Sequence, residues 1–503
     1  MRAKRSLYNL ITAVGTQVVI LVLGLIVPRL TLTNYGSETN GFMSLVVQIY
    51  AYIGLLEAGL GTAEVQALYG PVTAGDRRAV SCVVNTAHGY YRRLTGYYAG
   101  AVVAVAAVLP LVVESELSPW VMSVYFLLFG LARVTNFWFA ASMRPLLQVE
   151  GKNYVNTGID FAFNVGATLA RIALLSMGVG LILLQIVYSL INTLQVLVYF
   201  FYFRRYYGWV DRTVPPDRSV LKQRNAFFLQ QVSQMVFSCT DVILISVFCD
   251  LKAASVYAVY MLVFNALHLM IWLMFSNTQF VLGQVWHEDR KRYVTIHQAF
   301  DAGLVTVGFI LNATACVLML PFVELYTAGV TDADYLDGLL PLLLCMNGVL
   351  TTCKYVPLNL INVAHHAKQT MGQTLGEMVL NLGLSLVLVP VWGIRGVLAG
   401  TFAALAFRVI AGSRYANRKL LNVSSGFSLR LYLSNFLLFG AVVLARQQIP
   451  LSITSYPQFI LAGFATVAVM AVLFGGLNLA LNHALLMPYV KWAAAAVVRR
   501  MKS

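Results

Sequence analysis

The feature that most constrains this chain is its near-unbroken succession of apolar runs, separated by short segments rich in Arg, Lys, Gly and Pro. Each run is about as long as a bilayer-crossing helix, which needs about 20 mostly apolar residues. Of 503 residues, 59% are hydrophobic and only 11% are charged, against about 25% charged in an average soluble domain. A soluble globule of this length could not cover its surface with so few charges. The same composition excludes a disordered chain and a small disulfide scaffold. The expected fold class is an all-α polytopic membrane protein with about fourteen transmembrane helices.

The runs are predicted at 8–28, 41–68, 96–113, 120–141, 154–176, 181–203, 225–248, 254–283, 299–322, 337–362, 370–390, 394–413, 431–447 and 457–481. Residues 69–95, carrying Arg77, Arg78, Arg92 and Arg93, read as a helix lying on the membrane surface. The basic start, Met1 to Ser6, leads into an apolar run to Val27 that ends in Pro28-Arg29. That run is longer than a signal-peptide core and lacks a small-residue cleavage site, so it reads as an uncleaved first span.

The net charge of +15 does not point to nucleic acid, because the basic residues sit in short clusters rather than one stripe. With alternating spans, 27 of the 35 Lys and Arg residues fall on the side of the N-terminus. The opposite side holds Arg29, Lys252, Arg395 and Arg446 beside Glu114, Glu116, Asp250, Glu324, Asp332, Asp334 and Asp337. Lys and Arg favour cytoplasmic loops, so both termini are expected in the cytoplasm of a bacterial cell, with the chain in its inner membrane.

The six cysteines form no CxxC pair and have no His at metal spacing. They read as small apolar residues, with no metal and no cofactor expected. No GxxxxGK[ST], HExxH or GxSxG occurs, and no loop is long enough for a catalytic domain. The chain is therefore expected not to be an enzyme or a nucleotide-powered pump. Transport driven by a gradient, or by the substrate's own downhill chemistry, is what remains.

Two halves are expected. Asn9 and Asn225 open the first and seventh spans, and Lys152 and Lys368 precede the fifth and eleventh, both pairs 216 residues apart. At a shift of 217, Asp160 meets Glu377, Asn164 meets Asn381 and Thr168 meets Ser385. Polar matches in one register inside apolar helices mark a repeat. Six spans per half keep both halves in the same orientation, related by an axis along the membrane normal. The cluster from Arg204 to Arg224, with Pro215-Pro216, sits where a linker would. The expected organisation is an N-lobe at 1–213, a C-lobe at 214–430, and two further spans with a cytoplasmic tail at 431–503.

Polar stripes cross the apolar runs. The fifth span carries Asp160, Asn164, Thr168 and Arg171 on one helix face. The seventh carries Gln230, Gln234, Ser238 and Asp241, and the eleventh Gln373, Glu377, Asn381 and Ser385. Lys354, Arg133, Glu57 and Glu64 lie in the tenth, fourth and second spans. A charge near the bilayer centre costs roughly 2.5–3.5 kcal/mol, so such residues face a bundle interior or a wet cavity. The bland reading is interhelical glue, with Arg133, Arg171 and Lys354 bridged to Asp160, Asp241 or Glu377. The functional reading makes Arg133 and Lys354, then Arg171, then Arg29 and Arg408, the cations of a substrate cavity. Asp160, Glu377, Asp241 and Glu57 are then coupling or gating groups. His268, in an aromatic span, reads as a core histidine.

Four short motifs carry a resemblance. Arg5-x-x-x-Asn9 with Pro28-Arg29 and Tyr35-Gly36, and Glu57-Ala58-Gly59-Leu60-Gly61-Thr62-Ala63, resemble the first two spans of Wzx-type polysaccharide (O-antigen) flippases. Thr240-Asp241-Val242-Ile243-Leu244-Ile245 and Gly393-Ile394-Arg395-Gly396-Val397-Leu398-Ala399-Gly400-Thr401 resemble their seventh span and the start of their twelfth. Leu30-Thr31-Leu32-Thr33 departs from the Leu-Gly pair often found after the Arg. The family belongs to the MOP superfamily, with the MATE multidrug exporters and the lipid II flippase. The resemblance implies two six-helix lobes forming a V around a cavity open alternately to each side, plus two C-terminal helices. It implies an undecaprenyl-diphosphate-linked oligosaccharide as cargo, coupling to H+ or Na+, and a monomer working with the polysaccharide assembly machinery. A lipid II flippase, or a cation-coupled drug or metabolite exporter of the same fold, is the rival reading.

Overall fold

The computed structural model describes residues 2–57, 59–139, 141–221, 235, 239–448 and 453–488. Among them the chain is nearly all helical, with no β-strand, and separates into two compact units, Met1–Ser255 and Val256–Ser503. Eleven helices among the described residues are long and apolar enough to cross a membrane. This is a multi-pass membrane protein.

The first unit is built from α1 (Arg2–Ile53), α2 (Leu60–Ala74), α3 (Arg77–Val112), α4 (Pro119–Phe139), the short α5 (Arg144–Val149), α6 (Asn153–Ser176), α7 (Leu181–Tyr206) and α8 (Cys239–Phe248). The helix α9 (Leu251–Glu288) begins in it and continues into the second unit. The second unit adds α10 (Arg290–Tyr326), α11 (Leu340–Val363), α12 (Met371–Trp392), α13 (Ile394–Tyr415), α14 (Gly426–Gln447) and α15 (Tyr456–Leu481).

Three differences account for eleven spans where fourteen are expected. The first two expected spans are present as two helices that meet at a kink at Gly36, where φ is 82° and ψ is 173°, and being contiguous they count as one element, α1. That backbone conformation is open to glycine at little cost, and it breaks the helix while leaving its two parts contiguous. The expected seventh span falls mostly outside the described residues, Asn225, Gln230, Gln234 and Ser238 included; α8 is its described end. The tenth is present as α11, 24 residues long, but Asn347, Thr351, Thr352 and Lys354 hold its apolarity below that of the eleven.

The expected surface helix at 69–95 is also corrected. Asp76 caps α3 by accepting from the Ala79 amide at 2.9 Å, and the helix then runs unbroken for 36 residues to Val112. Apolarity marks only the stretch of a helix that meets lipid, so a basic half and an apolar half of one helix read as two elements. The second expected span, 41–68, is interrupted by a 3₁₀ turn at Gly54–Glu57 before α2 begins.

The glycine-rich motif at 393–401 has a plain physical basis. Gly393 takes φ 55°, ψ −133° and closes the turn from α12 into α13. A Cβ on Gly396 would lie 2.4 Å from the Leu388 carbonyl oxygen, and one on Gly400 2.6 Å from Ser385 Oγ. The two helices therefore touch backbone to backbone, the close approach that small residues permit in membranes.

In the second unit α9 and α10 form a hairpin whose turn is capped by Asp289, which accepts from the amides of Lys291 at 2.9 Å and Arg292 at 3.1 Å. Its apex is packed by Leu282, Trp286 and Tyr293 against Leu360, Ala416 and Leu421, while residues 287–292 are exposed.

Candidate functional site

The polar stripe of α12 forms from spacing alone: Gln373, Glu377, Asn381 and Ser385 recur every fourth residue and share a face. That face is buried against α13 and α11. Gln373 Oε1 accepts from Arg408 at 3.1 Å, Asn381 donates to Thr401 Oγ1 at 2.9 Å, and Ser385 donates to the Val397 carbonyl at 3.3 Å. Asn347 of α11 donates to the Leu398 carbonyl of α13 at 3.1 Å. Most of this stripe thus holds helices together.

Glu377 is the exception. Lys354 Nζ of α11 donates to its Oε1 at 2.9 Å, and Arg408 Nε of α13 lies 3.4 Å from its Oε2. The three side chains are 15%, 10% and 4% exposed for Lys354, Glu377 and Arg408. Of the two readings of Lys354, a bound anion or an ion pair with Asp160, Asp241 or Glu377, the structure shows the pair with Glu377 of α12. Among the described residues the cluster holds two cations for one carboxylate. Lys354 and Arg408 line one crevice together with Pro357, Leu358 and Ile361. His268, one helix away, is bonded at 2.8 Å to the hydroxyl of Tyr355.

In the first unit the stripe of α6 divides between two settings. Asp160 pairs with Arg144 of α5 and accepts from Gln195 Nε2 at 2.7 Å and from the Tyr199 hydroxyl at 3.0 Å. Arg144 in turn lies over the Tyr199 ring at 4.8 Å. Arg171, suggested by the sequence as the partner of Asp160, is not: eleven residues of helix put them about 16 Å apart. Arg171 instead lies over the Tyr188 ring at 4.3 Å, with its guanidinium 3.4 Å from Gln185 Oε1. Its buried Nε has no hydrogen-bond acceptor among the described residues.

Arg171, Thr168 and Asn164 form the polar side of a groove of about 340 Å³ whose other wall is Leu23, Gly24, Val27 and Pro28 of α1. The groove is amphiphilic: a cation and two hydrogen-bonding side chains face an apolar wall. The remaining predicted residues lie elsewhere. Arg133 is exposed on α4, within electrostatic reach of Glu57, whose carboxylate is bonded by Tyr91. Arg29 sits in the first part of α1, seven residues before the kink at Gly36. Asp241 is buried at the start of α8, beside Thr240, whose hydroxyl meets that of Tyr52.

The sequence reading missed Arg144, Gln195 and Tyr199. Arg144 precedes Pro145 in a segment that reads as loop, and nothing in its spacing ties it to α6. It missed as well the buried residues Tyr293, His297 and Asp301 of α10, although their four-residue spacing was visible.

The α-helical array has known counterparts among solved structures. A multidrug-resistance MATE family transporter of the MOP superfamily, in an inward-facing conformation, matches with a TM-score of 0.65 over 80% of this chain and 95% of that one, at 16% identity. The lipid II flippase MurJ, in an inward closed conformation, matches with a TM-score of 0.66 over 92% and 98%, at 13% identity. The chain has a MATE-like fold. The MATE multidrug transporter DinF-BH shares it at a TM-score of 0.55 and 14% identity, over 81% and 94%. No family model matches the sequence, and no curated protein matches it. The MATE-like fold thus accounts for the helical architecture, while the charges within it are read from this chain's own residues.

Proposed function

We propose that this protein is a Wzx-type flippase that carries an undecaprenyl-diphosphate-linked oligosaccharide across the bacterial inner membrane by alternating access. The observation that supports this most is the surplus of cation over carboxylate in the buried cluster of Lys354, Arg408 and Glu377. A site built for cationic drugs would carry the opposite surplus. A diphosphate fits it: Arg offers a bidentate fork and Lys a point charge to phosphate oxygens. Sugar hydroxyls lose water on entering hydrocarbon and need replacement partners. Asn164, Thr168 and Arg171 supply such partners along a groove whose apolar wall suits the start of a prenyl chain.

The lipid II flippase reading shares this headgroup chemistry and is favoured by the extent of the match to MurJ. Deleting the gene and analysing the lipid-linked sugars that accumulate separates the two. Build-up of a polysaccharide repeat unit is the expected result. Accumulated lipid II with normal surface polysaccharide would transfer the protein to the rival role, and no accumulated lipid-linked sugar would refute both.

Both termini are proposed to be cytoplasmic. Single cysteines at Glu114 and Thr331, on a cysteine-free background, should label from outside intact cells. Those at Ser219 and Ser424 should label only after permeabilisation. Outside labelling at Ser219 would reverse the orientation.

A further inference from the structure

The helix α10 carries three buried polar side chains in file, Tyr293, His297 and Asp301, which are 0%, 2% and 1% exposed. Their four-residue spacing stacks them on one face over about 12 Å of helix. The file starts one residue beyond the exposed Arg290-Lys291-Arg292 of the hairpin apex. The Tyr293 and His297 rings are 5.6 Å apart. Neither the Tyr293 hydroxyl nor His297 Nδ1 meets a hydrogen-bond partner among the described residues. Buried polar atoms left over by the protein are ordinarily satisfied by ordered water, so this file is suited to a water thread.

At the inner end of the file, Tyr432 of α14 donates its hydroxyl proton to Asp301 Oδ2 at 3.2 Å. Among the described residues, no Lys, Arg or His nitrogen lies within ion-pair distance of that carboxyl. The titratable groups facing it are Tyr432 from α14, Cys353 from α11 and, one turn away on α10, His297. Tyr432 and Cys353 carry no positive charge, and His297 makes no ion pair with the carboxyl among the described residues. The contrast within the same unit is direct: Glu377, also buried, has two cations. A buried carboxylate without a cation carries a desolvation penalty, which a bound proton removes.

Tyr432 is placed to serve both protonation states. Its single hydroxyl proton has three acceptors in reach: Asp301 at 3.2 Å, the Cys353 carbonyl at 3.4 Å and Ser413 Oγ at 3.4 Å. Facing the carboxylate, it donates to Asp301. When Asp301 takes a proton on a carboxyl oxygen, the hydroxyl accepts from that O–H and turns its own proton to the Cys353 carbonyl. No other group need change charge.

We propose that Asp301 and Tyr432 form a proton-binding site, reached from the α9–α10 apex along Tyr293 and His297. Its use as the coupling site of a transport cycle rests on the flippase reading, whereas the proton site does not. The test is infrared difference spectroscopy of the purified full chain in detergent, between about pH 5 and about pH 9. The wild type should show the carbonyl stretch of a protonated carboxyl group. Asp301→Asn should lose that band while keeping its unfolding temperature, and Tyr432→Phe should shift it by removing its hydrogen bond. A spectrum unchanged in Asp301→Asn overturns the proposal. Should Asp301→Asn fail to fold, Tyr432→Phe decides, an unshifted spectrum being the overturning result. A band assigned to Asp301 in a protein whose deletion accumulates no lipid-linked glycan would leave the proton site standing and remove the cargo.

Discussion

Exchange of Glu377 for Leu should collapse the level of folded protein in the membrane. The carboxylate is the shared counter-charge of Lys354 and Arg408, both largely buried. Removing one partner of a buried pair costs about 3–5 kcal/mol, because the other charge is left without compensation. Here two charges lose their carboxylate, against a total stability of about 5–15 kcal/mol for a typical protein. Glu377→Leu combined with Lys354→Met should recover part of the loss, since Arg408 keeps its bond to Gln373. Thermal unfolding of detergent-purified variants, beside membrane abundance, reports both effects. An unfolding temperature unchanged in Glu377→Leu would show that the cluster is hydrated and not a buried ion group.

The double variant Lys354→Ala, Arg171→Ala should behave in the opposite way, losing transport and keeping the fold. Glu377 retains Arg408, and Arg171 gives up contacts to an amide and to a tyrosine ring. A hydrogen bond to a charged group contributes about 1.5–3 kcal/mol, so on the proposed flippase reading each substitution alone should lower transport about tenfold or more, and the two together about a hundredfold or more. Lys354→Arg should keep part of the activity. The readout is surface polysaccharide at matched membrane abundance. Normal polysaccharide from the stable double variant would remove both residues from the cargo path.

Much of the helical architecture was legible because hydrocarbon imposes length and apolarity on every segment that crosses it. What that rule does not reach went unread. The kink at Gly36 depends on one residue's backbone conformation, and α3 begins with a basic half that apolarity does not mark. The site shows the same division. The stripes of α6 and α12 are local periodicities and could be seen. Their partners are supplied by other helices: Arg144 for Asp160, Arg408 for Glu377, Tyr432 for Asp301. A one-helix pattern shows that a polar face has a neighbour without naming it. For Lys354 two readings stood side by side, a bound anion or an ion pair with Asp160, Asp241 or Glu377, and only the packing of α11 on α12 singles out Glu377.

The length of the α9–α10 hairpin has a practical corollary. Helices of 38 and 37 residues measure about 57 Å, nearly twice the roughly 30 Å of hydrocarbon they cross. The helices outrun that thickness, and the exposed turn between them carries Arg290-Lys291-Arg292, where trypsin should cut. Cutting there would divide the chain into two fragments, each still anchored by its own spans and held together by the packing of Trp286 and Tyr293. The same tip is a place to graft an epitope or a fiducial domain without touching a single buried charge.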